Sequence, residues 1–137
     1  MSKILGLDYG KKRCGISITD ELQLIASPLT TVNTKDLTNF LIELIKKENI
    51  SILVIGEPRD KKNNLFELEK SIRKFINNIK LKLPDLIIKR EDERFTSKLS
   101  SIYINQITSK RKVKTDKKNI DKISASLILE SYLTRKK

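Results

Sequence analysis

Three places along the chain carry carboxylates in settings where they could do chemistry. Asp8 closes a short apolar run at a glycine turn, in Leu5-Gly6-Leu7-Asp8-Tyr9-Gly10. Glu91, Asp92 and Glu93 follow a second apolar stretch, between Arg90 and Arg94. Asp121 sits at the start of a third stretch with helical spacing. Clustered carboxylates repel and take up protons unless a cation sits among them. Hard oxygen ligands of this kind suit Mg²⁺ or Mn²⁺. Two such ions about 3.5–4 Å apart can activate a water and stabilise the leaving oxygen of a phosphodiester. Each acid also has an ordinary role open to it. Asp8 can hold its own turn, the acids at 91–93 can form a surface ion cluster, and Asp121 can favour the dipole of a first helical turn by about 0.3–1 kcal/mol. Their coincidence at two strand ends and a helix start, places that one compact domain can bring together, favours the joint reading.

Composition narrows the chemistry further. The chain has no His, which excludes His-based general catalysis, Ser-His-Asp triads and His-metal nucleases. A single Cys, Cys14, excludes an internal disulfide and a Cys-rich zinc site. Any hydrolysis must therefore rest on carboxylates, Lys, Tyr, Ser or Thr. With 29 basic residues against 17 acidic ones the formal charge is +12, a field that attracts a polyanion, most commonly nucleic acid. Abundant Lys, Ile and Asn are also what a biased base composition writes into any protein. Lys12 and Arg13, just after the Asp8 turn, are the first candidates for phosphate contacts, followed by Arg94 and Thr96. Thr96 has the competing role of a helix cap.

The elements that must position these residues follow from hydrophobic spacing. Ile4–Leu7 and Cys14–Ile18 read as strands, with Gly15 permitting close approach of a neighbour. Leu24–Val32 reads as a less regular third strand because of Pro28. Leu37, Phe40, Leu41, Leu44 and Ile45 have helical spacing. Ile50–Gly56 is apolar enough for a strand covered on both faces. Leu65, Leu68, Ile72, Phe75, Ile76 and Ile79 mark a second helix, and Leu86–Arg90 a last strand. Thr96 could cap a helix carrying Leu99, Ile102 and Tyr103. Residues 106–118, with six basic residues and one Asp, read as a mobile basic loop before a final helix bearing Ile120, Ile123, Leu127, Ile128 and Leu133. The order β-β-β-α-β-α-β-α-α predicts an α/β fold. Its mixed five-stranded sheet joins a three-stranded antiparallel meander to two parallel strands, with helices on both faces. One domain spanning 1–137 is expected. The first residues meet charge too soon for a signal peptide and no apolar run approaches a membrane span, so a soluble, cytoplasmic protein with no membrane partner is expected.

These motifs resemble a known family, the YqgF/RuvX nucleases related to Holliday junction resolvases. Asp8-Tyr9-Gly10-Lys11-Lys12-Arg13-Cys14-Gly15-Ile16, continuing through Thr19-Asp20, looks like its N-terminal signature. Ile55-Gly56-Glu57-Pro58 resembles its central element, and Asp92-Glu93-Arg94-Phe95-Thr96-Ser97 its Asp-Glu-Arg-x-Thr motif. Asp121 to Leu129, with Tyr132-Leu133, is similar to its C-terminal helix. The likeness spans nearly the whole chain in order. It departs at Glu57 and the Lys-rich stretch after Pro58, and at Ser124 and Ser126, where Ala is more usual. The resemblance implies an RNase H-like fold, a catalytic and metal-binding set at Asp8, Glu93 and Asp121, and maturation of the 5′ end of pre-16S ribosomal RNA.

Three activities compete. One is a nuclease, with two Mg²⁺ or Mn²⁺ ions, acting on structured RNA, possible partners being pre-16S rRNA and pre-ribosomal particles. A second is a resolvase of branched DNA, which would act as a two-fold dimer; the sequence shows no obvious apolar dimer face. The third is a non-catalytic RNA-binding assembly factor, with phosphate contacts from 110–118. An actin-like sugar kinase, suggested by Asp8-x-Gly10 and Gly15, would need a second domain for which 137 residues leave no room.

Overall fold

A computed structural model describes residues 2–57, 63–92 and 117–136 of the chain. Five strands form one sheet: β1 (Lys3–Asp8), β2 (Arg13–Thr19), β3 (Ala26–Asn33), β4 (Ile50–Glu57) and β5 (Ile87–Asp92). The described helices are α1 (Leu37–Glu48), α2 (Asn63–Lys82) and α3 (Lys117–Lys136), with a 3₁₀ turn at Thr34–Asp36. Strand order is β3-β2-β1-β4-β5. β1 pairs antiparallel with β2 and β2 with β3, whereas β1–β4 and β4–β5 are parallel. The expected mixed sheet is thus present, a meander extended by two crossover strands.

Side-chain alternation divides the core. Leu5, Leu7, Cys14, Ile16, Leu53 and Ile55 face a layer that includes Leu37, Leu41 and Ile45 of α1 and Ile72, Phe75 and Ile79 of α2. Ile4 and Val54 face the opposite way, onto Ile128, Leu129, Tyr132 and Leu133 of α3. Each fully buried Leu or Ile stabilises the fold by about 1.5–3 kcal/mol relative to leaving it in water. The core is aliphatic, as a chain without Trp and with 5% aromatics requires. α1 ends on Asn49 in the left-handed region (φ 55°), whose N–H donates to the Ile45 carbonyl.

The structure adjusts three boundaries. β5 runs two residues beyond Arg90, so Glu91 and Asp92 belong to the strand. α3 begins at Lys117, so the last two residues of the expected basic loop are helical, and 106–116 lie outside the described residues. Asp121 therefore stands in the second turn of its helix, past the reach of the dipole argument. β3 starts at Ala26 rather than Leu24 because Asp20 organises the preceding loop. Its Oδ1 accepts from the N–H groups of Leu24 and Ile25 at 2.8 and 2.9 Å. That loop and edge strand β3 carry Leu22, Leu24, Ile25 and Leu29, four of the six exposed large apolar side chains among the described residues. The apolar edge was not apparent from sequence. No described helix is long and apolar enough to cross a membrane.

Candidate active site

Asp8 lies at the end of β1, where the parallel strands also end. In β1, Ile4 packs on α3, and Gly6 abuts Ala125 and Leu129 of α3. Asp8 has the same parity and faces the same side. Its partner across the β1–β2 ladder is Gly15. A Cβ at Gly15 would collide with the carbonyl oxygen of Asp121, so only glycine allows the helix this close. Two residues along β2, Ser17 Oγ donates to the Ala125 carbonyl at 2.8 Å. Four helical residues advance about 6 Å and two strand residues about 6.6–6.8 Å, so 121 and 125 seat together over 15 and 17. Three small residues, Gly6, Gly15 and Ser17, thereby draw α3 down onto the β1–β2 pair and bring Asp121 beside Asp8.

Arg13, at the start of β2, shares the parity of Gly15. Its Nε donates to Asp121 Oδ2 at 3.2 Å, with the two side chains 24% and 21% exposed. The hairpin before it is tied down from below. Thr34 donates its N–H to the Lys12 carbonyl at 3.0 Å and its Oγ1 to the Gly10 carbonyl at 2.7 Å. Tyr9 faces the opposite layer, its ring 5.7 Å from that of Phe75. Lys11 and Lys12 project into solvent at the tip. Burial pushes the Cys14 thiol up, and the charges of Asp8 and Asp121 add to that rise against its hydrogen bonds with Thr34 and the Gly10 carbonyl, which oppose it. Both carboxylates thus lie within electrostatic reach of one buried thiol.

The end of β5 is occupied differently. Glu91 is 5% exposed. It accepts from Ser131 Oγ at 2.7 Å and from Arg135 Nη2 and Nε at 2.6 and 3.0 Å. It holds α3 to the sheet. Arg90 faces the other layer, where Nη1 and Nη2 grip Glu69 of α2 at 2.9 and 2.8 Å. Its Nη2 and Nε also donate to the carbonyls of Gly56 and Ile55. Asp92 has the parity of Arg90, and so points away from the face shared by Asp8 and Asp121. Glu93, Arg94 and Thr96 lie outside the described residues. The structure therefore brings together Asp8, Arg13 and Asp121, with Lys12 on the adjoining tip, and assigns Glu91 to architecture. Sequence reading missed the Arg90–Glu69 and Glu91–Arg135 clamps, whose partners lie 21 and 44 residues apart. It did carry one signal of the packing, Gly15.

The donor set can be tested against a metal. Two carboxylates from adjacent elements, in a chain without His, offer hard oxygen ligands that fit Mg²⁺ or Mn²⁺ and not zinc. No cluster of three potential ligands occurs among the described residues; Asp8 and Asp121 are the two described carboxylates that could contribute to such a site.

Comparison with known proteins bears on this arrangement. A family model described as "RuvX: Holliday junction resolvase" matches residues 2–135. A protein of Phocaeicola vulgatus, named "Putative pre-16S rRNA nuclease", is 42% identical over 137 residues, covering 100% of this chain and 99% of its own. One of Karelsulcia muelleri with the same name is 48% identical over 138 residues, covering 97% and 99%. Among solved structures, Thermus thermophilus RuvC with a Holliday junction substrate superposes with a TM-score of 0.62 at 12% identity, covering 98% of this chain and 96% of that one. The Fowlpox virus resolvase bound to Holliday junction DNA gives 0.54 at 16% identity, covering 97% of each. The two structural likenesses show a shared resolvase-type, RNase H-like fold. The sequence match along nearly its full length settles the lineage, and the chain belongs to the RuvX family.

Proposed function

We propose that this chain is a metal-dependent nuclease that hydrolyses phosphodiester bonds of structured RNA, and that its substrate is the 5′ end of precursor 16S ribosomal RNA in the cytoplasm. The observation that carries the reading is the packing of α3 onto Gly15, which sets Asp121 beside Asp8 at the end of the parallel strands. The names of the relatives support the substrate. Asp8, Asp121 and Glu93 are the proposed catalytic and metal-holding carboxylates. Glu93 is chosen over Asp92 because Asp92 shares the parity of Arg90, and over Glu91 because Glu91 is committed to Ser131 and Arg135. Mg²⁺ or Mn²⁺ bound there would supply charge neutralisation and an activated water. Lys12, Arg13, Arg94 and Thr96 are the proposed phosphate contacts, which would hold the backbone across the carboxylates.

The test is cleavage of a labelled pre-16S 5′-end RNA with Mn²⁺ or Mg²⁺ against EDTA, by wild type and Asp8→Asn. Metal-dependent cutting lost in the variant supports the proposal; RNA bound but uncut by both points to an assembly factor. A second reading, resolution of branched DNA, draws on the likeness to junction-bound resolvases and on the apolar β3 edge, where two copies could meet. Symmetric cutting of a four-way junction, with the RNA left intact, would select it.

A further inference from the structure

Among the described residues, three arginine–carboxylate pairs join the sheet to its helices, and one is unlike the others. Arg90 grips both oxygens of Glu69 and donates as well to two β4 carbonyls. Arg135 donates twice to Glu91, which Ser131 also satisfies. Among the described residues Arg13 makes one bond to Asp121, through Nε at 3.2 Å, the long end of the hydrogen-bond range. Both partners are partly exposed, so water can replace either without burying an unpaired charge. The Arg13 backbone is fixed by pairing with Asn33 in β3 and by the Thr34 ties to the hairpin. Its side chain is the part able to move.

We infer that Arg13 has two positions: paired with Asp121 in the free protein, and turned onto a backbone phosphate of nucleic acid once Asp121 is engaged as a metal ligand. The physical basis is charge exchange. A guanidinium beside a carboxylate stands in for the cation that a cluster of acids demands. When Asp121 becomes a ligand it no longer attracts Arg13, and the guanidinium is repelled by the ion and drawn to phosphate. Its planar fork suits phosphate. Lys11 and Lys12 on the exposed tip border the same path. The consequence is ordering: in the free protein Arg13 competes with metal for Asp121, and substrate removes the competitor. Arg13 thereby ties metal loading to the presence of substrate. This inference rests on the proposed nuclease reading, and its test separates the two.

In EDTA, affinity for a labelled structured RNA is measured by fluorescence anisotropy for wild type, Asp8→Asn, Asp121→Asn, Arg13→Gln and Asp121→Asn/Arg13→Gln. Both Asn variants lose one negative charge, so Asp8→Asn measures the simple electrostatic gain. Asp121→Asn is expected to bind at least threefold tighter than Asp8→Asn, and the excess disappears in the Arg13→Gln background. Equal gains that persist without Arg13 overturn the inference. In a second arm Mn²⁺ is titrated into the RNA-free protein by calorimetry. Arg13→Gln is expected to bind Mn²⁺ several-fold tighter than wild type; unchanged or weaker binding would make Arg13 a fixed brace and overturn the inference. If wild type and Arg13→Gln bind no Mn²⁺ at all, the metal-dependent nuclease reading fails, and the EDTA arm decides for or against Arg13 alone.

Discussion

The two rims of the sheet use the same residue types to opposite ends. At the end of β5, Arg90 and Glu91 each meet a full set of partners, one on α2 and the other on α3, so adjacent residues of one strand pin a helix on each face. At the end of β1, Asp8 and Asp121 are brought side by side through glycine contacts, with a single-bonded arginine as the described cation between strand and helix. Saturated charges with many short bonds stabilise architecture. Like charges held together by apolar and backbone packing create a demand for a cation, which is the physical requirement of a metal-using site. Charge content does not separate the two rims; whether opposite charges are paired across elements or like charges are set on neighbouring ones does.

The sharpest break of that contrast is Asp8→Asn. Changes to groups that merely support metal ligands cost about 10–100-fold, so loss of a proposed ligand should reduce cleavage more than about a hundredfold, while the melting temperature stays within a few degrees. Gly15→Ala should damage both properties at once. Its Cβ would displace α3, costing about 1–3 kcal/mol in urea titrations and separating Asp121 from Asp8. On the other rim, Arg135→Ala leaves Ser131 as the described partner of a buried carboxylate. The variant should therefore lower the melting temperature, by less than breaking a fully buried pair would because Arg135 itself is solvent-exposed, with cleavage at low temperature retained.

Glu69→Gln should have the smallest effect, and it carries a pH signature. Hydrogen bonds from Arg90 hold the Glu69 carboxyl below its ordinary value of 4.5, against some burial that opposes the shift. The folded-state value is lowered, so the stabilisation is present above the unfolded value and is lost as pH falls through the folded one. Wild type should lose its advantage over Glu69→Gln as melts are taken below pH 4.5. At neutral pH the variant should cost about 1.5–2 kcal/mol, as for a charged hydrogen bond.

Much of this was legible in the chain itself. Strand and helix periodicities located the elements, since burial on one face leaves a period that a reader can count. Asp8 and Asp121 stood out because of where they fell in those elements, and Gly15 because a glycine within a strand marks a close neighbour. Less legible were the outcomes that depend on parity or on distant partners. Whether Glu91 or Asp92 faces α3 turns on how far β5 continues, which the run Arg90-Glu91-Asp92 does not declare. The partners of Arg90 and Glu91 lie in other helices, and no local pattern couples them. The strand expected from Leu24 instead starts at Ala26, because the Asp20 loop turns Leu22, Leu24 and Ile25 outward.

That outward-facing edge has a consequence for how the protein meets a polyanion. The 21 residues from Cys14 to Thr34, which supply all of β3 and most of β2, contain none of the chain's 29 basic residues. A body with net charge +12 in which the segment forming one edge contributes no basic residue should experience a torque in the field of nucleic acid, because that segment itself adds nothing to the pull. It rotates during the approach so that the β3 edge trails. Fewer collisions are then wasted on the wrong side, and raising the salt should slow association by weakening that alignment as well as the attraction. The edge sets orientation by what it lacks.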